Sequence, residues 1–215
     1  MNEKRYLITQ SLLSAWLYQF NCAEEEADDA REDFLKKLRR EKEEQTEAML
    51  RGISFENAVY WLLHGDDYPA CAHCESYAKR TQEREFKCIA QMAKLMQGGA
   101  FQVTAYKDKR IAGVRFLLMA KCDWVKAGEI LDCKRVSDYE VGKYFESVQH
   151  PMYLEVIDGA KCFKYEVCDG DDIYEERYTR EDIPQSIDSI IEEFVADLKA
   201  TSLWKTYTNN WESKY

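Results

Sequence analysis

The run Lys121-Cys122-Asp123-Trp124-Val125-Lys126-Ala127-Gly128-Glu129-Ile130-Leu131-Asp132-Cys133-Lys134 decides how this chain is read. Apolar and β-branched residues flank Ala127-Gly128, a two-residue turn signal in which glycine supplies a positive-φ position. With the turn there, Lys126 pairs with Glu129, and counting outward sets Asp123 directly opposite Asp132. Opposed Cβ atoms lie about 4.5–5.5 Å apart. Two like charges at that separation destabilise a sheet unless a cation lies between them. Period two puts Lys134 on the face of Asp132 and turns the Cys133 side chain away, leaving the Cys133 backbone carbonyl as a further hard ligand. Two carboxylates, a carbonyl and water form an oxygen set that suits Mg²⁺ or Mn²⁺ better than zinc. A lysine beside such a metal can orient or deprotonate an attacking water and offset charge gathering on a phosphoryl group. The plainer alternative is a surface hairpin with scattered charges, because D-x-K alone is common. The opposed aspartate and the apolar flanks Val125, Ile130 and Leu131 weigh against it.

Outward from the hairpin, residues 101–106, 111–125 and 129–136 read as an antiparallel meander, with Lys107-Asp108-Lys109 as the first break. Upstream the period is helical. A short helix over 8–18 is capped by Thr9 or Ser11, and a highly charged helix over 24–50 carries one narrow stripe of Phe34, Leu35, Leu38, Met49 and Leu50. Gly52 interrupts it before a helix over 54–64 that buries Phe55, Val59, Leu62 and Leu63, and a third helix covers about 70–96. Downstream come a helical segment over roughly 138–157, strands over 161–167 and 171–178, an amphipathic helix over 184–200, and a polar, aromatic tail over 203–215. Strands and helices together make the class α/β (α+β), with an N-terminal helical extension.

Two further groups belong with the hairpin. Glu56 follows Phe55 on a helix whose apolar side faces the core, so its carboxylate can reach a metal directly or through water. Gln149 and Tyr153 stand at i and i+4 of a helix start that has Ser147 as its cap and Pro151 in its first turn, and so share a face. His150 reads as a solvent-facing histidine. The order G-x-x-x-E, D, D-x-K, Q-x-x-x-Y, carried by Gly52/Glu56, Asp123, Asp132/Lys134 and Gln149/Tyr153, resembles the RecB-like exonuclease branch of the PD-(D/E)XK nuclease superfamily. That resemblance covers residues 52–153. It implies a restriction-endonuclease-like central mixed sheet flanked by helices, in which Asp123 and Asp132 bind metal, Lys134 is the catalytic lysine, Glu56 occupies a further metal position, and Gln149 with Tyr153 hold DNA. Many relatives have histidine where this chain has Glu56. Several also carry an iron–sulfur cluster on one N-terminal and three C-terminal cysteines. Cys22 could stand for the first, but Cys162 and Cys168 are the last cysteines, so no cluster is expected.

The whole chain, 1–215, then reads as one nuclease domain: a helical part over 1–97, the catalytic sheet and helix over 98–183, and a closing helix and tail over 184–215. The implied activity is Mg²⁺- or Mn²⁺-dependent hydrolysis of DNA ends, in phage or prophage recombination or in repair. An endonuclease on the same fold and a catalytically silent DNA-binding or assembly subunit are the competing readings. The net charge of −10 argues superficially against a nucleic-acid partner. Acid is concentrated in 24–47 and 166–193, however, while 79–143 holds 14 Lys and Arg against 8 Asp and Glu. The expected partners are DNA, a recombinase or single-strand annealing protein, and further copies of the chain. No apolar run approaches a membrane span, and eight cysteines without a signal segment read as reduced thiols in a cytoplasmic protein. Cys71 and Cys74 have a zinc-ligand spacing near His64 and Cys88, but the second paired half is missing and thiols are the preferred reading.

Overall fold

Strand β3 (Val114–Lys126) organises the molecule, which is described by a computed structural model over residues 3–42, 44–65 and 83–214. One edge of β3 pairs antiparallel with β2 (Ala100–Ile111) along nearly its whole length. Its other edge is divided. β1 (Arg5–Thr9) pairs parallel with Arg115 to Met119, and β4 (Glu129–Arg135) pairs antiparallel with Trp124 to Lys126. β4 continues parallel to β5 (Cys162–Cys168), which pairs antiparallel with β6 (Ile173–Tyr178), giving a mixed six-stranded sheet.

Helices cover both faces of this sheet. On one face α1 (Gln10–Asn21), α2 (Ala27–Arg39), α5 (Gln149–Val156), α6 (Ile187–Ala200) and α7 (Trp204–Asn210) enclose Ile8, Leu12, Phe34, Phe116, Leu118, Phe163, Tyr165 and Phe194. On the other, α3 (Glu47–His64) and α4 (Glu83–Met96) pack Phe55, Val59, Ile89 and Met92 against Trp124, Leu131 and Cys133. Strand alternation separates the two cores: Leu131 and Cys133 face α3 and α4, while Asp132 and Lys134 face the other way. The outer edge of β1 is closed by the C-terminal segment, through Leu7 N–H to Trp211 O (2.8 Å), Ser213 N–H to Arg5 O (2.7 Å) and the antiparallel bridge Tyr6↔Glu212.

Several elements differ from the sequence-based expectation. The apolar start of the first helix is a strand instead, because a buried parallel strand is a continuous apolar run that periodicity cannot tell from a helix. Thr9 then caps α1, its hydroxyl accepting from Leu12 N–H at 3.3 Å. The charged helix ends at Arg40 in the left-handed region (φ 58°), and α3 restarts behind the Thr46 cap and runs straight through Gly52. A helical glycine costs about 1 kcal/mol, which burial of Ser54, Phe55, Ala58 and Val59 outweighs. Leu62 lies 38 % exposed rather than buried. The first half of the expected third helix lies outside the described residues, as do Cys71 and Cys74. β2 does not break at Lys107-Asp108-Lys109: the turn is Ala112-Gly113, with φ 48° and 75°. The expected helix over 138–157 begins only at Gln149, and the tail contains α7. Cys88, Cys122, Cys133, Cys162 and Cys168 are buried free thiols. Among the described residues no helix is long and apolar enough to cross a membrane.

Candidate active site

Ala127 (φ 51°) and Gly128 (φ 84°) form the tight turn of the β3–β4 hairpin, and the ladder runs Lys126↔Glu129, Val125↔Ile130, Trp124↔Leu131. It ends there. At the next position the Asp123 carboxylate replaces the backbone partner, with Oδ2 accepting the Cys133 N–H at 2.9 Å. The strands therefore part at Asp123 and Asp132, in the stretch of the β3 edge that neither β1 nor β4 pairs. Asp132 is only 3 % exposed. Its Oδ1 accepts from Gln149 Nε2 at 2.6 Å, and the Lys134 ammonium stands 2.7 Å from its Oδ2. That ion pair lacks hydrogen-bond alignment, so Oδ2 is a buried oxygen without a hydrogen bond. One turn along α5, the Tyr153 hydroxyl donates to the Lys121 carbonyl at 2.9 Å and ties the helix to β3 just before the fork.

The charges at this fork act on one another. Burial pushes the Asp123 carboxyl well above the ordinary range, and the nearby Asp132 and Glu56 push it further; Lys134 and the Cys133 N–H pull the other way. Glu56 is also raised, first by burial and then by Asp132, against a long hydrogen bond from Gln102 Nε2 (3.5 Å). Burial works to lower the Lys134 pKa, but the Asp132 and Asp123 charges outweigh it and hold the ammonium above the usual lysine value. Burial lifts the Tyr153 phenol to about 12.

Asp123, Asp132, Lys134, Glu56 and Gln149 thus come together, while the Cys133 side chain is buried on the opposite face. Gln149 and Tyr153 are both buried and spend their polar groups on Asp132 and Lys121. His150 does not face solvent. It is fully buried, stacked on Tyr178 at 4.2 Å, with Nδ1 3.3 Å from the Tyr165 hydroxyl, and burial lowers its pKa to about 4. The short helix α5 is enclosed on nearly every side, which leaves no solvent face for it.

Two residues at the site carried no sequence signal. Gln102, the third residue of β2, adopts φ 49° between the pairs Phe101↔Trp124 and Val103↔Cys122, where the ladder skips it and Asp123, and its amide reaches Glu56. A left-handed non-glycine residue costs on the order of 1–2 kcal/mol, and such strain concentrates at functional sites. Tyr144, from the loop before α5, lies within the electrostatic reach of Lys134 and Asp132. Both arrive through long-range packing that spacing along the chain does not encode.

Much of the basic middle segment is neutralised locally. Lys107 pairs with Asp158 (2.7 Å), Lys109 with Asp188 (2.5 Å) and Glu155 (2.8 Å), Arg115 with Asp108 (2.8 Å), Arg135 with Glu85 (2.9 Å), and Arg110 with Glu3. Lys121, whose charge acts on Glu56, is exposed, as is Lys143, which donates to the Asp138 carbonyl at 3.2 Å.

The mutual repulsion of three carboxylates, Asp123, Asp132 and Glu56, is the feature that a divalent cation would relieve. Among the described residues no three His, Cys, Asp or Glu side chains are gathered tightly enough to hold an ion by themselves. The Cys133 carbonyl and solvent would complete the set, as suits a hard cation that keeps several waters.

No protein-family model matches the chain, and no curated protein matches it. Among solved structures, the crystal structure of SSO0001 is similar over 80 % of this chain and 85 % of its own, at 14 % identity and a TM-score of 0.40, too weak a likeness to bear on function.

Proposed function

We propose that the chain is a divalent-metal-dependent deoxyribonuclease of the PD-(D/E)XK type, acting on DNA ends in recombination or repair. The observation that carries this reading is Asp132: a buried carboxylate held by Gln149 on one oxygen and faced by Lys134 on the other, with Asp123 beside it across a fork in the sheet. A structural ion pair has no need of a second buried carboxylate whose ionisation its neighbours oppose.

Asp123, Asp132 and the Cys133 carbonyl would hold Mg²⁺ or Mn²⁺, with Glu56 as a further ligand. When bound, the ion supplies positive charge that polarises the phosphodiester and makes water a better nucleophile. Lys134, 2.7 Å from Asp132, stands where it can donate to a non-bridging phosphate oxygen and orient the attacking water. Gln149 fixes the rotamer of Asp132, and Tyr153 anchors α5 so that this amide stays in place. End specificity rests on the resemblance carried by Gln149 and Tyr153.

The test is digestion of end-labelled linear single- and double-stranded DNA beside closed circular DNA, with Mg²⁺, Mn²⁺ or EDTA. Wild type is compared with Lys134→Ala and Asp132→Ala. Metal-dependent loss of linear DNA alone, reduced at least about 10²-fold by either substitution, is the expected result. Cleavage of the circle makes the enzyme an endonuclease. Folded, metal-binding protein with no turnover on any substrate makes it an assembly subunit.

A further inference from the structure

Between β4 and α5 the chain makes a loop, residues 136–147, which is held by one buried carboxylate outside the site described above. Glu176 of β6 is 7 % exposed and accepts four hydrogen bonds. Its Oε1 takes the Tyr139 hydroxyl (2.8 Å) and the Gly142 N–H (3.0 Å), and its Oε2 takes the Tyr144 N–H (3.2 Å) and the Tyr178 hydroxyl (2.6 Å). Three of the four donors belong to the loop. Ring stacking reinforces the clamp, with Tyr139 on Tyr174 at 4.5 Å and Tyr144 on Tyr165 at 4.4 Å. Gly142, at φ 83°, turns the chain between them.

The clamp fixes two things at once. It sets Tyr144 within the field of Lys134 and Asp132, and it leaves the next residue, Phe145, 49 % exposed and Val141 92 % exposed on a well-anchored loop. One side of the Phe145 ring leans on Tyr178 (centroids 6.4 Å apart), which fixes it, and the half that stays in water matches the π-face that every nucleobase offers. Because the loop is already ordered, stacking on it costs little additional conformational entropy.

Resting on the nucleic-acid reading above, we propose that this loop is the substrate-strand platform of the site: Phe145 stacks on the base beside the scissile phosphate, and Glu176 is the positioning residue that holds the loop in place. Tyr144, between them, keeps the platform in register with Lys134.

The experiment follows a single-stranded oligonucleotide carrying 2-aminopurine near its end. Fluorescence quenching reports stacking, and KM and kcat are measured on the same strand. Phe145→Ala should lose the quenching, weaken binding about 5- to 100-fold and raise KM with kcat nearly unchanged, while Phe145→Trp restores all three. Glu176→Gln, which cannot accept all four donors, should lose quenching and lower kcat as well; circular-dichroism melting separates this from unfolding. Phe145→Ala with wild-type quenching and KM overturns the platform while leaving the nuclease intact. Wild type that neither binds nor cleaves the strand overturns the nuclease reading and the platform with it.

Discussion

At the scale of single residues, the site depends on how Asp132 is held. Its buried carboxylate has one aligned hydrogen bond, from Gln149. Gln149→Ala should leave the carboxylate free to rotate toward Lys134. Groups that orient a metal ligand are worth roughly 10- to 100-fold, so metal-dependent cleavage should fall by that factor while circular dichroism stays unchanged. An unaltered rate would mean that Lys134 alone orients Asp132. His150 makes a different prediction. The folded ring stays neutral down to about pH 4, whereas an unfolded chain takes up its proton near 6.5. Between those values the unfolded state binds more protons, so stability falls as pH drops through that window. At about 1.4 kcal/mol per unit, the loss between pH 7 and pH 5 is about 2 kcal/mol. Urea unfolding at the two pH values should show this part of the slope in wild type and not in His150→Phe.

At the scale of elements, the same dipeptide closes both hairpins of the meander: Ala112-Gly113 and Ala127-Gly128, each with both residues at positive φ. Alanine is strained there and asparagine is favoured. Ala112→Asn and Ala127→Asn should each stabilise the protein by about 0.5–1 kcal/mol, raising Tm by about 2–4 °C per kcal/mol. A fall in Tm would show that neighbouring side chains rather than backbone strain govern the turns. The second turn was legible because apolar residues flank it, and from it Asp123, Asp132, Lys134 and their faces follow by counting. The first was not: Lys107-Asp108-Lys109 looks like a polar break until its partners are known. Lys107 and Lys109 reach Glu155, Asp158 and Asp188 on one face, and Asp108 meets Arg5 and Arg115 on the other, so strand alternation continues through three charges. β1 and Glu176 were hidden for the same reason. Their roles exist only across long stretches of chain, whereas Phe55, Val59 and Phe34 could be placed from local period alone.

At the scale of the whole molecule, the proposed DNA substrate would have to be attracted to a small area of a protein whose net charge is −10. With Lys107, Lys109 and Arg115 paired internally, the exposed Lys121 and Lys143 are, among the described residues, cations available to meet phosphate. Binding should therefore weaken only shallowly with salt, and Lys121→Ala or Lys143→Ala should each flatten the log–log slope by about one. A steep slope unaffected by both substitutions would place the DNA on another surface.

The antiparallel seam between β1 and the C-terminal segment has a mechanical consequence. Arg5 is bonded to Ser213 and Leu7 to Trp211, so the chain ends leave the seam side by side. Tension applied between the two ends loads these bonds one after another, as a zipper is loaded, instead of shearing them together. The C-terminal segment would peel away at low force, with the parallel β1–β3 ladder and the fork beyond it still carrying no load.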